Sequence, residues 1–523
     1  MSSPDDVVGG VSPADTAGEH SVNIPETADP YSEPMSVRHL IAEQVLIEGV
    51  LQPAHLEITD EGIIHRIEKI APGTAAHRAA VCRSSDVGGG DGLKVLKPRM
   101  MVLPGVVDSH VHINEPGRTS WEGFATGTMA AALGGVTTVV DMPLNSIPST
   151  VTVEALEIKR SVARSQAYVD IGFWGGIVPG NTDQLAPLWD EGVFGFKCFL
   201  LDSGVEEFPP VNPAQLREAM TEVARFDGLV IVHAEDARTI DTATQSTART
   251  GSVTRYADWA ATRPPEAETE AIRGLLEAVR ETGCRTHILH LASAAALDLI
   301  REAKDEGLPL TVETCPHYLC FEAERIPDGA AEFKCCPPIR DAGNRDALWQ
   351  GLQEGLIDVI VSDHSPSTAE EKYRGAPDLS RAWGGISGLQ VGFAAVASEA
   401  RRRGVGIEDV SRWMSGGTAA LVGLDDRGEI AVGRRADFLF YDPAEAHVVS
   451  ASGLAHKNPV SAYEGHEISG TVVGSVLAGT ELFTALDSSS PLAPVGDLIM
   501  RPGAAASVGG LEQKAAAGPV SRS

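Results

Sequence analysis

Between residues 101 and 366 the chain alternates short, nearly continuous apolar runs with segments of mixed character. Eight runs stand out: MVLPGVVDSHVHI, GVTTVVDMPLN, AYVDIGFWGGIV, VFGFKCFL, GLVIVHAED, RTHILHLAS, LPLTVETCPHYL and IDVIVSDHSP. Runs with little polar alternation belong to strands covered on both faces. Each is followed by a segment of helical character, as at 267–281 and 294–306. Eight strand–helix units in series predict an α/β chain folded as a TIM (β/α)8 barrel. The pattern changes on either side. HLIAEQVLIEGV and HLEITDEGIIHRIEKI show apolar alternation, with Gly62 at a hairpin position, and RGEIAVGRRADFLFYDP and GTVVGSVLAGTELF repeat that character late in the chain. These flanking segments are expected to form one discontinuous β domain, because the ends of a central domain often lie close together. The reading gives β segments at 37–103 and 425–487 around a barrel at 104–424. Residues 1–36, rich in Ser, Pro, Asp, Glu and Ala and without apolar periodicity, are read as a disordered acidic leader, and residues 488–523, rich in Ser, Pro, Gly and Ala, as a disordered tail.

Charge narrows the choice of partners. The chain of 523 residues holds 42 Lys and Arg against 72 Asp and Glu, a formal net charge of −30. Seven of the acids fall in the leader, which has no Lys or Arg. Such a surface argues against nucleic acid and against anionic membranes as partners. The uncharged stretch 123–140 contains glycines and threonines and ends at Asp141, so it reads as a helix running into a strand rather than a membrane span. Seven cysteines, an odd number without zinc-ribbon spacing, suit a reducing compartment. No secretory signal is visible, and the chain is read as cytoplasmic.

The chemistry gathers at the ends of the runs. His110 and His112 stand two apart on the first strand and so face the same side. The fourth run carries Lys197, the fifth His233, the sixth His290 and the eighth Asp363. Asp141 and Asn145 end the second, and Thr314 and His317 the seventh. Any one of these alone reads as a hydrogen-bonded structural residue. Their convergence on the end of a barrel that carries function points to a joint metal site. Four histidines and an aspartate exceed what one tetrahedral zinc needs, whereas two metals sharing a bridging ligand fit. An ammonium offers only donors and cannot bridge cations. A Lys197 kept neutral by burial would react with carbon dioxide, and its carbamate would span two metals.

These residues, with DSHVHINEPGRTSWEGFATGTMAAALGGVTTVVDMPLNSIPST, FGFKCFLLDSGVEEFP, VETCPHYL, FKCCPPIRD, DVIVSDHSP and KNPVSAYEG, resemble the cyclic amidohydrolases and, within them, the allantoinases, over 37–483. The paired histidines indicate only the superfamily; DMPLNSIPST and KCFLLDSGVEEFP point to the narrower group. The resemblance implies a barrel with a β-sandwich built from both chain ends, assembled as a homotetramer. It implies two zinc ions, although the same ligands suit other divalent metals. His110, His112 and Asp363 would hold the first, His233 and His290 the second, with Lys197 as N6-carboxylysine between them. The implied reaction opens the cyclic amide of allantoin to allantoate, in purine catabolism. Asp363 would be the catalytic base, moving a proton from the attacking water to the leaving ring nitrogen.

Substrate contacts and rival readings follow from the same comparison. Asn145 is either a partner for the ureido group or a turn residue. The Cys335–Cys336–Pro337–Pro338 loop would hold the ring through backbone groups, with Cys336 and Pro337 as contacts. Hydantoinases and dihydropyrimidinases place a Tyr soon after the bridging lysine, and none follows Lys197 through Ser203. Dihydroorotases place Arg two residues after the second histidine, where this chain has Asn114, with Arg118 further along. A metal-free scaffold would have lost ligands that this chain retains. Strand alternation turns Cys198 and His287 away from the ligand side, and His364 would orient ligands from behind. His317 either lines the mouth or is structural, and His39, His55, His65 and His77 fall outside catalysis.

Overall fold

The computed structural model describes residues 36–84, 92–247, 252–485 and 493–504, and each of the eight apolar runs contains a strand. The first run divides. Met101–Pro104 joins the flanking sheet, and Val106–Val111 begins a parallel array. Gly105 lies at the break, where a Cβ would fall 2.3 Å from Thr137 Oγ1, so only glycine permits this approach.

Val106–Val111, Val136–Asp141 and Asp170–Phe173 pair in parallel. A second ladder runs through Gly175–Gly176, Phe196–Phe199, Leu229–His233, Arg285–Ile288, Leu310–Thr314 and Val359–Ile360. Phe194 N donating to Phe173 O and Trp174 N to Asp141 O, each at 3.0 Å, join the two ladders. At the other edge Val111 bridges His364 in parallel, and His112 N donates to His364 O at 2.8 Å.

The helices between these strands form for local reasons. Pro213–Ala224 starts with a reciprocal capping box between Asn212 and Gln215. Pro265–Thr282 buries Ala267, Ala271, Ile272, Leu275, Leu276 and Val279 along one stripe and stops at Gly283, whose φ of 65° is the left-handed cap conformation. The stretch 123–140 resolves into helix Phe124–Leu133 and strand Val136–Asp141. No helix of the described residues is long and apolar enough to cross a membrane.

Strands from both flanks share one eight-stranded sheet. Met101–Pro104 pairs in parallel with His39–Ile47 and antiparallel with Phe438–Val448, so the strand that leads into the parallel array sits inside this sheet. Gly62, at φ 75°, turns the chain between Val50–Ile58 and Ile64–Lys69, as its hairpin position predicts. Leu40, Val45, Leu56, Val102, Phe438 and Phe440 form the core of one face.

The leader falls outside the described residues apart from Ser36, which bridges Thr480. The tail needs correction in one part. Residues 493–504 lie along the third parallel strand: Ile171 N donates to Asp497 O at 2.9 Å, and Ile499 N to Ile171 O at 2.8 Å. Arg501 stacks its guanidinium 3.6 Å from the centre of the Trp189 ring. The segment supplies partners for buried backbone groups of the strand, a need that composition does not reveal.

Asp170 binds these layers together. Its Oδ2 accepts from Arg427 and Arg435, each at 2.9 Å, and its Oδ1 accepts from Asp497 N at 3.0 Å. Both Asp170 and Arg427 are buried. Removing one member of a buried pair leaves the other charge uncompensated. Asp170→Ala is therefore expected to destabilise the protein by about 3 kcal/mol. Urea unfolding followed by tryptophan fluorescence measures this, and an unchanged midpoint would refute the role.

Candidate metal centre

The six residues read as ligands come together in one buried cluster at the ends of the parallel strands. Lys197 Nζ lies 3.2 Å from His110 Nε2 and 3.5 Å from His112 Nε2. Asp363 Oδ1 lies at the same two distances from the same two nitrogens. The His290 ring centre is 5.3 Å from that of His110 and 4.6 Å from that of His233. Phe199 stacks on His233 at 4.7 Å. Strand alternation explains Lys197: Cys198 beside it points into the apolar core, as expected. His290 and Asp363 lie just beyond the paired parts of their strands, at φ 35° and 43°. With Asn145, at φ 70°, they occupy the left-handed region that side chains disfavour. Such strain persists only where the surroundings hold it, and it gathers at functional sites.

Each first-strand or fifth-strand imidazole is aimed by a hydrogen bond on its outer nitrogen. His110 Nδ1 donates to Glu313 Oε1 at 2.5 Å, and His112 Nδ1 donates to Asn145 Oδ1 at 3.0 Å. His233 Nε2 donates to Glu235 Oε2 at 2.7 Å, and Arg263 Nη1 donates to the same oxygen at 2.5 Å. His110 and His112 are thus left to ligate through Nε2, and His233 through Nδ1. Glu313, Glu235 and Arg263 were not read from the sequence. The available signal was a carboxylate within or just after an apolar strand, which burial obliges to find partners. His287 is indeed not a ligand; its Nε2 donates to the second oxygen of Glu313 at 3.0 Å.

Burial sets the charge states. It pushes His112 down to about 3, lowers His233, and takes His290 well below the usual range, so these rings are neutral. It pushes the Lys197 ammonium down to about 8. Burial alone would raise Glu235 and Asp363. The Arg263 guanidinium and His233 instead hold Glu235 at about 2, and His110 and its neighbouring histidines hold Asp363 well below the carboxylate range.

This donor set fits divalent metal. His110, His112 and Asp363 offer ligand atoms within 4.8 Å of one another. His290 Nδ1 is buried without a hydrogen-bond partner among the described residues. Neutral imidazoles with an ionised carboxylate are what such a cation requires.

A cavity of about 190 Å³ opens on the cluster. Asn145, Arg263, Cys336, Trp383 and Gly384 line it together with five of the six ligands; His110 is not among its walls. Pro337 does not line it, and its carbonyl accepts from the Tyr318 hydroxyl at 2.8 Å. Asn145 lines the cavity, and its side-chain oxygen accepts from His112 Nδ1. Arg118 stays outside the cavity, paired with Glu207 and donating to Asn145 O at 3.2 Å. His317 is buried rather than at the mouth, and His364 lies behind the site, 3.3 Å from Glu122. Asp141 pairs with the buried Lys159 at 2.5 Å and accepts from Ile113 N, so it braces the first strand instead of ligating.

The sequence pattern of the amidohydrolase family matches residues 101–482. The chain belongs to the amidohydrolase family. Amidohydrolases of this kind work through a divalent metal centre, in keeping with the ligand cluster. The chain is 50% identical to an allantoinase of Streptomyces avermitilis over 445 residues, 85% of this chain and 97% of that protein. It is 42% identical to an allantoinase of Saccharomyces cerevisiae, covering 89% of this chain and 99% of that one. Among solved structures, the L-hydantoinase (dihydropyrimidinase) of Arthrobacter aurescens superposes with a TM-score of 0.80 at 27% identity, over 89% of this chain and all of that one.

The carboxylate behind His110 generates a test. Glu313→Gln keeps the shape but removes the charge that orients the ring. Metal affinity is expected to fall by about 10- to 100-fold. Competition with a chelator, read by metal analysis of the protein, checks this; unchanged affinity would refute the role.

Proposed function

We propose that this amidohydrolase opens the cyclic amide of allantoin by hydrolysis, giving allantoate. The likeness to allantoinases along most of the chain carries this reading. The site supports it. Allantoin is neutral, and the one arginine on the first-strand loop that could attract an anionic ring is neutralised by Glu207 outside the cavity. Among the described residues no tyrosine lines the cavity, which separates the site from the hydantoinase pattern even though the backbone resembles those enzymes.

In this reading the parallel ladders close as a (β/α)8 barrel over 104–424. The flanking sheet of 37–103 and 425–487 folds as a sandwich, and the molecule is a cytoplasmic homotetramer. Six free cysteines among the described residues, without a disulfide, agree with a reducing compartment. Two zinc ions would be held by His110, His112 and Asp363 on one side and by His233 and His290 on the other. Lys197 would lie between them. Burial, which lowers the Lys197 pKa to about 8, raises the share of neutral amine; that amine's nitrogen would bond to the carbon of carbon dioxide and release a proton, leaving a carbamate. Bound metals supply Lewis acidity and make water acidic near neutral pH.

The chain's own groups do the rest. Asp363, ionised in its buried setting, takes a proton from the attacking water and returns it to the ring nitrogen as the C–N bond breaks. Backbone groups beside Cys336, rather than Pro337, would meet the ring. Arg263 and Glu235 keep His233 fixed while this happens.

Competition among allantoin, dihydrouracil and dihydroorotate tests the substrate. Allantoin should dominate turnover, and a clear preference for dihydrouracil would overturn the proposal in favour of the dihydropyrimidinase reading. Lys197→Ala should lose metal and activity by more than the roughly 10- to 100-fold of an outer-ligand change. A short carboxylic acid should restore part of both, whereas full activity without rescue would exclude the bridge.

A further inference from the structure

Two lysines lie buried behind the cavity wall, and among the described residues neither pairs with a carboxylate. Taking an ammonium out of water is costly unless its protons find acceptors. Burial lowers the Lys372 pKa to about 7, but its nitrogen faces three acceptors, Lys334 O at 2.9 Å, Trp383 O at 3.2 Å, and Gly385 O, one for each N–H of the ammonium and none that donates to a neutral amine. Lys334 reaches the same segment from its other end, donating to Ala382 O at 2.5 Å and to Ser380 O at 3.3 Å, with its ammonium 4.3 Å from the centre of the Trp259 ring.

These acceptors belong to two chain segments that both line the cavity. Cys335 and Cys336 follow Lys334, and Gly384 lies between Trp383 and Gly385. The segments touch: a Cβ on Gly384 would fall 3.2 Å from Cys336 Sγ, and Gly385 N donates to Lys334 O at 2.9 Å. Gly385, at φ 135°, would place a Cβ 2.2 Å from Ser365 O, so this part of the wall has to be bare backbone. In a planar trans peptide the carbonyl and the following N–H point in opposite directions. Carbonyls drawn toward Lys372 therefore turn the amides of Cys335 and Gly384 away from it.

We propose that Lys372 is a positioning residue for substrate binding, its ammonium gathering the carbonyls of Lys334, Trp383 and Gly385 and so fixing the wall against which the ring rests. This rests on the proposed cyclic-amide hydrolysis. Lys372 touches neither a ligand of the metal centre nor the cavity space itself, so its loss acts on binding.

Steady-state kinetics and metal analysis of the full metal-loaded chain test it. In Lys372→Met, KM for the preferred substrate should rise by about 10- to 100-fold, the loss expected of charge-assisted hydrogen bonds. The kcat and the metal content should stay within about twofold. An unchanged KM overturns the proposal, as does a parallel fall of kcat and bound metal. Should that variant not fold, Lys372→Arg decides by the same split, since a guanidinium keeps the charge but does not reproduce the three-carbonyl geometry. The wild-type substrate preference is measured first. If dihydrouracil is preferred, the proposed substrate fails while the Lys372 test proceeds on dihydrouracil.

Discussion

An imidazole ligates a metal only while it is neutral, with one nitrogen free of a proton, and most of the architecture around this site serves that condition. Removing His112, His233 and His290 from water makes their protonated forms unfavourable. Burial by itself would leave the rings free to turn and their outer nitrogens unsatisfied. Glu313, Asn145 and Glu235 answer for His110, His112 and His233. The two carboxylates then need partners of their own, which His287 and Arg263 provide, and Arg118 donates to the main-chain carbonyl of Asn145. The polar network therefore reaches well beyond the cavity, and each layer exists because the layer inside it is dry.

The same demand shapes the backbone. A regular strand sends alternate side chains to opposite faces, which suffices for His110, His112 and Lys197. It cannot turn a side chain inward after the pairing has stopped. His290, Asp363 and Asn145 do so by adopting positive φ just past their strands. The strain is held by the pairing that flanks it and by bonds such as His290 N to Glu313 Oε1 at 3.0 Å. One carboxylate thus secures two of the candidate ligands, His110 and His290, from different strands.

The strands and the ligand cluster were legible because both are repetitive signals. Eight apolar runs recur along the middle of the chain, and chargeable residues recur at their ends. What stayed hidden was solitary. Glu313 sits in an apolar run as one acid among many, and only the fold brings it to His110 and His287. Arg263 lies in a loop before a helix, far in sequence from His233. Strand alternation excluded His287 as a ligand correctly but could not foresee that the ring would brace one. The Cys336–Pro337 pair illustrates the limit of motif transfer, since adjacent residues part company: Cys336 faces the cavity while Pro337 turns its carbonyl to Tyr318. Residues 493–504 were misread because Gly, Pro and Ala composition reports poor packing capacity and is silent on backbone pairing.

The seating of residues 493–504 against Ile171 bears on how the molecule is made. A ribosome delivers the third parallel strand more than three hundred residues before the segment that covers its backbone. The flanking sheet has the same property, with His39–Ile47 awaiting Met101–Pro104, and that strand awaiting Phe438–Val448. Contacts so distant along the chain are slow to form, because loop closure is lost entropy before it is gained contact. During synthesis the early strands must therefore persist with open edges, which are templates for pairing with other chains. The nascent polypeptide, more than the finished enzyme, is where this fold is vulnerable to aggregation.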